Sequence, residues 1–404
     1  MATAKPIVAA EFSYETLEET LDVKPGRARL VIGIPKEEAM QENRISLIPE
    51  AVQVLVNNGH QVTVQSKAGE GSKFTDKDYS DAGAKIVSSR AEVFKSAIII
   101  KSAPITECDL PHLQKNQTII SPLHYSLLNK KILEVLLNKK ISALGFELIK
   151  DDSDSFPIVR SMSEIAGSAS MLIAGQHLDS LNNGKGVLLG GISGIPPTKV
   201  IIIGAGIVGE YAARAALALG ASVKVFDNDI YRLKRLQNHI GHRVWTSVIE
   251  PNILSKQIKT CEVAVGALNN TKGRVPVVVT EEMVAQMRPG SVIVDVCIDR
   301  GGCFETSEIT THENPTFTKY GVIHYCVPNI ASGFARTASQ AISNVLSPLL
   351  MNIADEGGFE HLLWHDFNLR DAIYLYKGYS TNFHISERFG LKYTDLHLIL
   401  ASKS

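Results

Sequence analysis

Residues Val200–Gly209 read VIIIGAGIVG, and Val223–Asp227 read VKVFD. A β-branched run ending in Gly204-x-Gly206-x-x-Gly209, an alanine-rich helical stretch and a second β-branched run closed by an acid give strand, turn, helix, strand. Gly204 permits the tight turn, Gly206 lets backbone amides approach a pyrophosphate, and Gly209 lets helix and strand pack closely. The helix N-terminus favours negative charge. Asp227 is placed to accept hydrogen bonds from the adenosine ribose hydroxyls and to repel a 2′-phosphate, so the turn predicts NAD in preference to NADP. Arg232, five residues on, is the countersign: it is placed either to meet a phosphate or to stack on adenine. The bland alternative is a glycine-rich turn with no ligand.

Outward from this unit, the pattern repeats. Before it, apolar runs at Leu30–Ile34, Gln61–Val64, Ala97–Ile100, Thr118–Ser121 and Ile141–Phe146 alternate with helical stretches at Pro49–Asn58 and Leu128–Asn138. After it come strands at Glu262–Gly266, Ser291–Asp295 and Val322–Cys326, with a helix across Glu281–Met287. Such alternation predicts parallel α/β sheets. Ser163–Leu181 has helical spacing, with Ser161 or Ser163 available as a cap, and reads as a connector between domains. Asn182–Lys199 (NNGKGVLLGGISGIPPTK) is too rich in glycine and proline to be regular throughout. The last seventy residues read as helical. The amphipathic stretch from Ala335 through Asp355 is long enough to pack back on the first domain and make it discontinuous. The expectation is therefore two Rossmann-like, doubly wound α/β domains: 28–160 with 335–404, and 161–334, preceded by an extension at 1–27.

The 404 residues carry 41 Lys+Arg against 42 Asp+Glu, a net charge of −1 that offers no electrostatic footprint for nucleic acid or an anionic membrane. The densest apolar stretch is the glycine-cut one already quoted, too short to cross a bilayer. The first residues fit neither a secretory signal nor an Arg-rich transit peptide, so the expected location is the cytoplasm. The odd number of cysteines, 5, without C-x-x-C spacing, suits reduced thiols. His361 and His365 (HLLWH) have the spacing of a metal pair but lack the glutamate of H-E-x-x-H and a third ligand, so no metal is expected. His239 and His242 sit at a helix C-terminus and suit its dipole.

Ligands in open α/β sheets collect beyond the carboxyl ends of strands. Arg44, in ENRISL after the first strand, is placed to bind a carboxylate bidentately; a salt-bridged surface arginine is the alternative. His124, in SPLHYS after Thr118–Ser121, is placed to shuttle a proton. Lys101, closing Ala97–Ile100, offers a second positive charge. Asp295 and Asp299, in VDVCIDRGGCFE, lie where a carboxylate would meet an amine, a water or a ribose, and Asn329, in HYCVPN, where an amide would hold nicotinamide or its ribose.

With these residues in view, the chain resembles the alanine dehydrogenase family, related to the NAD-binding subunit of nicotinamide nucleotide transhydrogenase. The likeness runs from Ile32 into the C-terminal helices and rests on IGIPKE, ENRISLIPE, SPLHYSL, MSEIAG, GVLLGGISGIPPTK, IDRGGCFE and HYCVPN. It implies two domains flanking a cleft, a hexamer, and NAD-dependent oxidative deamination of L-alanine to pyruvate and ammonium, with the reverse amination. It further implies Arg44 on the alanine carboxylate, His124 as acid/base, Asp299 beside the reacting amine, and Ser163, Asp227 and Asn329 along the NAD site. One departure stands out. The family's K-V-K-E-P, whose second lysine contacts substrate, is here Lys101-Ser102-Ala103-Pro104, which puts Ala103 in that lysine's place. Either Lys101 takes over or substrate affinity and identity have shifted. A related reductive aminase resembling saccharopine dehydrogenase, a transhydrogenase-like subunit and a non-catalytic NAD-binding protein are the alternatives.

Overall fold

In the run Val200–Ile203, successive side chains turn to opposite sides: Val200 and Ile202 join one buried cluster, Ile201 and Ile203 another. A strand apolar on both faces needs a layer on each, and that is the architecture throughout. The computed structural model describes residues 26–39, 41–123, 128–241, 243–270 and 273–401.

The first sheet holds β1 (Val31–Ile34), β2 (Gln61–Gln65), β3 (Lys85–Val87), β4 (Ile98–Ile100), β5 (Thr118–Ser121) and β6 (Ser142–Gly145). The second holds β7 (Lys199–Ile203), β8 (Ser222–Phe226), β9 (Trp245–Ser247), β10 (Val263–Gly266), β11 (Val292–Asp295), β12 (Thr316–Lys319) and β13 (Val322–Tyr325). Two late strands, β14 (Ile373–Tyr376) and β15 (Tyr379–Ser380), return to the first sheet. The orders are β15-β14-β6-β5-β4-β1-β2-β3 and β12-β13-β11-β10-β7-β8-β9. Pairing is parallel except around β14 and between β12 and β13. Both sheets are thus doubly wound, and each has a switch point, between β1 and β4 in the first and between β7 and β10 in the second.

Two segments carry the chain between the sheets. The helix Pro157–Leu178 gives Ile158 to the first core and Ala166, Ala169, Met171 and Ala174 to the second. Its small residues allow close approach: a Cβ on Gly167 would lie 2.4 Å from Val208 O, on the helix Ile207–Ala218 that follows the glycine turn. The helix Ala335–Asp355 returns, and its Ile342, Leu346, Leu350 and Ile353 share a core with Ile32 and Ile34 of β1. Its serines also serve the loop after β1. Ile45 N donates to Ser339 Oγ at 2.9 Å and Ile48 N to Ser343 Oγ at 3.2 Å, which supplies the entry to the helix Pro49–Asn57 with partners its own Ile48 cap cannot offer.

Three readings change. The connecting helix starts at Pro157, whose missing N–H suits the first helical position, so Ser161 and Ser163 lie inside it and bond back to Pro157 O and Val159 O. The C-terminal region is not helical throughout: Ile373-Tyr374-Leu375-Tyr376 is a β-branched and aromatic run that pairs with β6. Short strands β3, β9 and β12 carry too few apolar positions to announce themselves and form because a sheet edge awaits them.

Candidate active site

The glycine turn has the form its spacing predicts. Gly204 takes φ +117°, and a Cβ there would lie 2.3 Å from Ala267 O, across the switch point. A Cβ on Gly209 would fall 1.8 Å from Gly204 O. Gly206 differs: nothing lies within 4 Å of its added Cβ, and it is the N-cap of the following helix, with no side chain to satisfy the first N–H groups. Steric need inside the protein explains the first two glycines but not the third. An open cradle over uncapped amides explains Gly206, as a bound pyrophosphate requires.

Asp227, at the end of β8, is 4% exposed. Its Oδ2 accepts from Ala205 N at 2.7 Å and its Oδ1 from Asp229 N at 2.8 Å, so the acid also braces the turn. Each oxygen retains a lone pair for a ribose hydroxyl. Arg232 pairs with Asp229 at 3.4 Å instead of standing alone, while Arg235, one helical turn on, reaches Ala205 O at 3.3 Å. Arg235 was invisible to sequence reasoning, since only the fold of the helix Ile230–Ile240 over the turn brings it there.

Asp299 lies in a single 3₁₀ turn, Ile298–Arg300, after β11 and is exposed. Asp295 organises its loop. It is fully buried and accepts from Cys297 N, Cys303 N and Ser307 Oγ at 3.3, 3.0 and 2.7 Å. Burial raises its carboxyl above the ordinary range. Among the described residues one group has metal-like spacing, Asp295, Cys297 and Cys303. Its carboxylate is taken up by N–H and O–H donors, and burial pushes the Cys303 thiol well up, so the group acts as a knot in the loop. Glycines 301 and 302, both at positive φ, complete it.

On the first domain, Arg44 follows β1 at the switch point. Its Nε and Nη2 lie 2.7 and 2.5 Å from the two oxygens of Glu42, and Nη1 lies 3.2 Å from Met162 Sδ on the connecting helix. Asn329, in left-handed backbone at φ +58° after β13, donates to Glu42 Oε2 at 3.1 Å. Two predicted residues nearly three hundred positions apart, Arg44 and Asn329, are therefore joined through a third that sequence reading passed over. Burial opposes Glu42's charge, yet the hydrogen bonds and charge of Arg44 outweigh it and hold the carboxyl below its usual range.

Lys101 follows β4 on the other side of the same switch point, but it turns inward. It is 1% exposed, with Nζ 3.0 Å from Glu37 and 3.1 Å from Asp109. Asp109 is also paired with Arg90. Ala103 is buried. Ser163, on the connecting helix, bonds to Val159 O. His124 lies outside the described residues; just before it, Leu123 N donates to Glu147 Oε1 at 2.6 Å. Burial pushes the Glu147 carboxyl up to about 7, and among the described residues its Oε2 has no hydrogen-bond partner. His361 and His365 fall on the helix Phe359–His365, remote in sequence from this group, and His239 pairs with Glu210 rather than closing its own helix.

Comparison with known proteins settles the lineage. Residues 33–166 match the model described as "Alanine dehydrogenase/PNT, N-terminal domain", and residues 170–383 its C-terminal domain. The chain belongs to the alanine dehydrogenase/PNT family. It is 38% identical over 363 residues to "Alanine dehydrogenase 2" of Staphylococcus aureus strain USA300, covering 90% of this chain and 97% of that one. A solved structure titled "L-alanine dehydrogenase" matches at TM-score 0.84 and 34% identity, over 89% of this chain and 99% of the other. A transhydrogenase from Sinorhizobium meliloti shares the fold at TM-score 0.73 and 22% identity, over 87% and 99%. The two-domain α/β fold, the oxidoreductase class and NAD as cofactor follow from membership.

Proposed function

We propose that this protein interconverts L-alanine and pyruvate: L-alanine, NAD⁺ and water give pyruvate, ammonium, NADH and a proton. The observation that carries the reading is a contact between the two domains, Asn329 Nδ2 to Glu42 Oε2 at 3.1 Å, in the loop that carries Arg44. The arginine at one switch point and the uncapped glycine turn at the other belong to the domains so tied. NAD supplies the hydride acceptor. Gly204, Gly206 and Gly209 admit its pyrophosphate, Asp227 its ribose, and Ser163, Arg232 and Asn329 complete its site.

Residues 28–160 with 335–404 hold the amino acid, and 161–334 hold NAD. Arg44 binds the carboxylate and so fixes which face of Cα looks toward nicotinamide. His124 takes the proton from the water that attacks the imine and returns one to nitrogen as the carbinolamine collapses. Asp299 orients the ammonium. Lys101 supports the site from below, by holding Glu37, whose Oε1 accepts from Ser102 N at 2.6 Å. The partners are small molecules and further copies of the chain, in a homohexamer; exposed Leu181, Leu188, Ile192 and Ile195 support self-association. The proposed location is the cytoplasm, in keeping with five free cysteines. No described helix is long and apolar enough to cross a membrane.

A second reading, a related NAD-dependent dehydrogenase with another amino-acid substrate, is favoured by Ala103, which lies buried in the place of the family's second lysine. The deciding experiment follows NADH absorbance with pyruvate, with ammonium and with both, then with glyoxylate, 2-oxoglutarate and NADPH. Oxidation requiring pyruvate and ammonium together establishes the alanine reaction. Turnover only with another oxo acid establishes the second reading, and NADH binding without turnover on any oxo acid refutes both.

A further inference from the structure

A guanidinium offers two forks to carboxylates, the side edge Nε/Nη2 and the outer edge Nη1/Nη2. Glu42 takes the side edge of Arg44 and leaves the outer one facing only Met162 Sδ among its described hydrogen-bond partners. The pair is half-buried, with side-chain exposures of 12% for Arg44 and 3% for Glu42, so its geometry is held largely by the protein. Among the described residues, every remaining hydrogen bond of that carboxylate is to its own loop or to the segment that carries the chain out of the dinucleotide domain. Oε1 accepts from Arg44 N at 2.9 Å and Ser332 Oγ at 3.1 Å, Oε2 from Asn329 Nδ2 at 3.1 Å. Ser332 also accepts from Asn43 N at 2.9 Å, which ties the same loop to the same segment a second time.

We infer that Glu42 is a positioning residue for the carboxylate site. It fixes Arg44 by its side edge so that the outer fork meets the substrate carboxylate, and through Asn329 and Ser332 it links that orientation to the dinucleotide domain. The inference rests on the reading of Arg44 as the carboxylate ligand. Arg44 without Glu42 would retain its charge but lose its direction, and a bidentate contact depends on direction.

The test compares Glu42→Gln, Glu42→Asp and Arg44→Lys in the full-length protein, measuring KM for pyruvate, KM for NADH, kcat, and NADH binding by fluorescence. Glu42→Gln should raise KM for pyruvate about 10–100-fold and leave NADH binding within about 3-fold. Placed in the Arg44→Lys background the same substitution should add less than about 3-fold, because its effect travels through Arg44. An unchanged pyruvate KM in Glu42→Gln, or pyruvate and NADH constants rising together, overturns the inference and leaves Glu42 as domain packing. Should Glu42→Gln fail to bind NADH, Glu42→Asp decides: it keeps the charge but is one methylene too short to span Arg44 and Asn329, so an unchanged pyruvate KM there overturns the inference equally. If Arg44→Lys leaves pyruvate KM unchanged, the reading of Arg44 itself has failed, a result separate from the failure of Glu42.

Discussion

Lys101 and Asp109 form an ion pair, Nζ to Oδ2 at 3.1 Å, in which neither side chain is more than 1% exposed. The ammonium is shared with Glu37, and Asp109 with Arg90, so four charges balance one another beneath the β1–β4 switch point. Burial works against the charge on Asp109, but Lys101 and Arg90 prevail and lower its carboxyl; on Glu37 burial prevails and the carboxyl is raised. Removing one member of such a cluster strands the others. Lys101→Met should therefore lower the unfolding free energy by about 3–5 kcal/mol, read from urea melts. A variant as stable as the parent would show that the network is not structural.

Glu147 gives a pH dependence whose sign follows from its burial. Its carboxyl titrates near 7 when folded and near the ordinary 4.5 when unfolded, so the folded state holds the proton more tightly. That contribution to stability is complete below about pH 4.5 and is lost as pH rises through 7. Glu147→Gln, neutral at every pH, should remove this loss and leave the variant more stable than the parent at pH 8 relative to pH 5. The stability difference between the two proteins should change between these pH values by up to about 1.4 kcal/mol per unit. Parallel stability profiles would refute it.

The three glycines of the turn should separate into two kinds. Gly209→Ala places a methyl 1.8 Å from Gly204 O and should disturb folding of the dinucleotide domain, lowering Tm. Gly206→Ala meets nothing within the protein, so Tm should hold while the dissociation constant for NADH rises by about 10-fold or more. Equal NADH affinity in Gly206→Ala would remove the pyrophosphate from that turn.

Asp227 braces Ala205 N, and in the proposed NAD site it also presents charge to the ribose. Asp227→Asn should weaken NADH binding by about 10-fold, since one of its two N–H partners loses an acceptor, and should narrow the preference for NADH over NADPH. A preference that stays the same, measured as the ratio of kcat/KM values, would assign discrimination elsewhere.

His124→Ala should lower turnover by about 10²–10⁴ while NADH binding is retained. Turnover like that of the parent would exclude it as the acid/base.

The dinucleotide turn was legible in the linear text because its causes are local. Gly204, Gly209 and Asp227 act through backbone angles and contacts within one strand–helix–strand unit, and β-branched runs betray the strands that flank it. Arg44 was legible as a candidate for a related reason: a loop after the first strand of a doubly wound sheet ends at the sheet's carboxyl edge. Glu42 was not, although it lies two residues away, because an acid beside an arginine reads as surface charge until burial and a partner such as Asn329 give it a role. The burial of Lys101 was not legible, since a strand-end lysine and a buried one look alike until Glu37 and Asp109 fold around it. Sequence alone determined the fold class and the form of the glycine turn, for these depend on short-range sterics and hydrophobic period. Tertiary structure alone decided which charges meet: burial and pairing are set by residues brought from 37, 42, 109 and 329, and no local pattern encodes those distances.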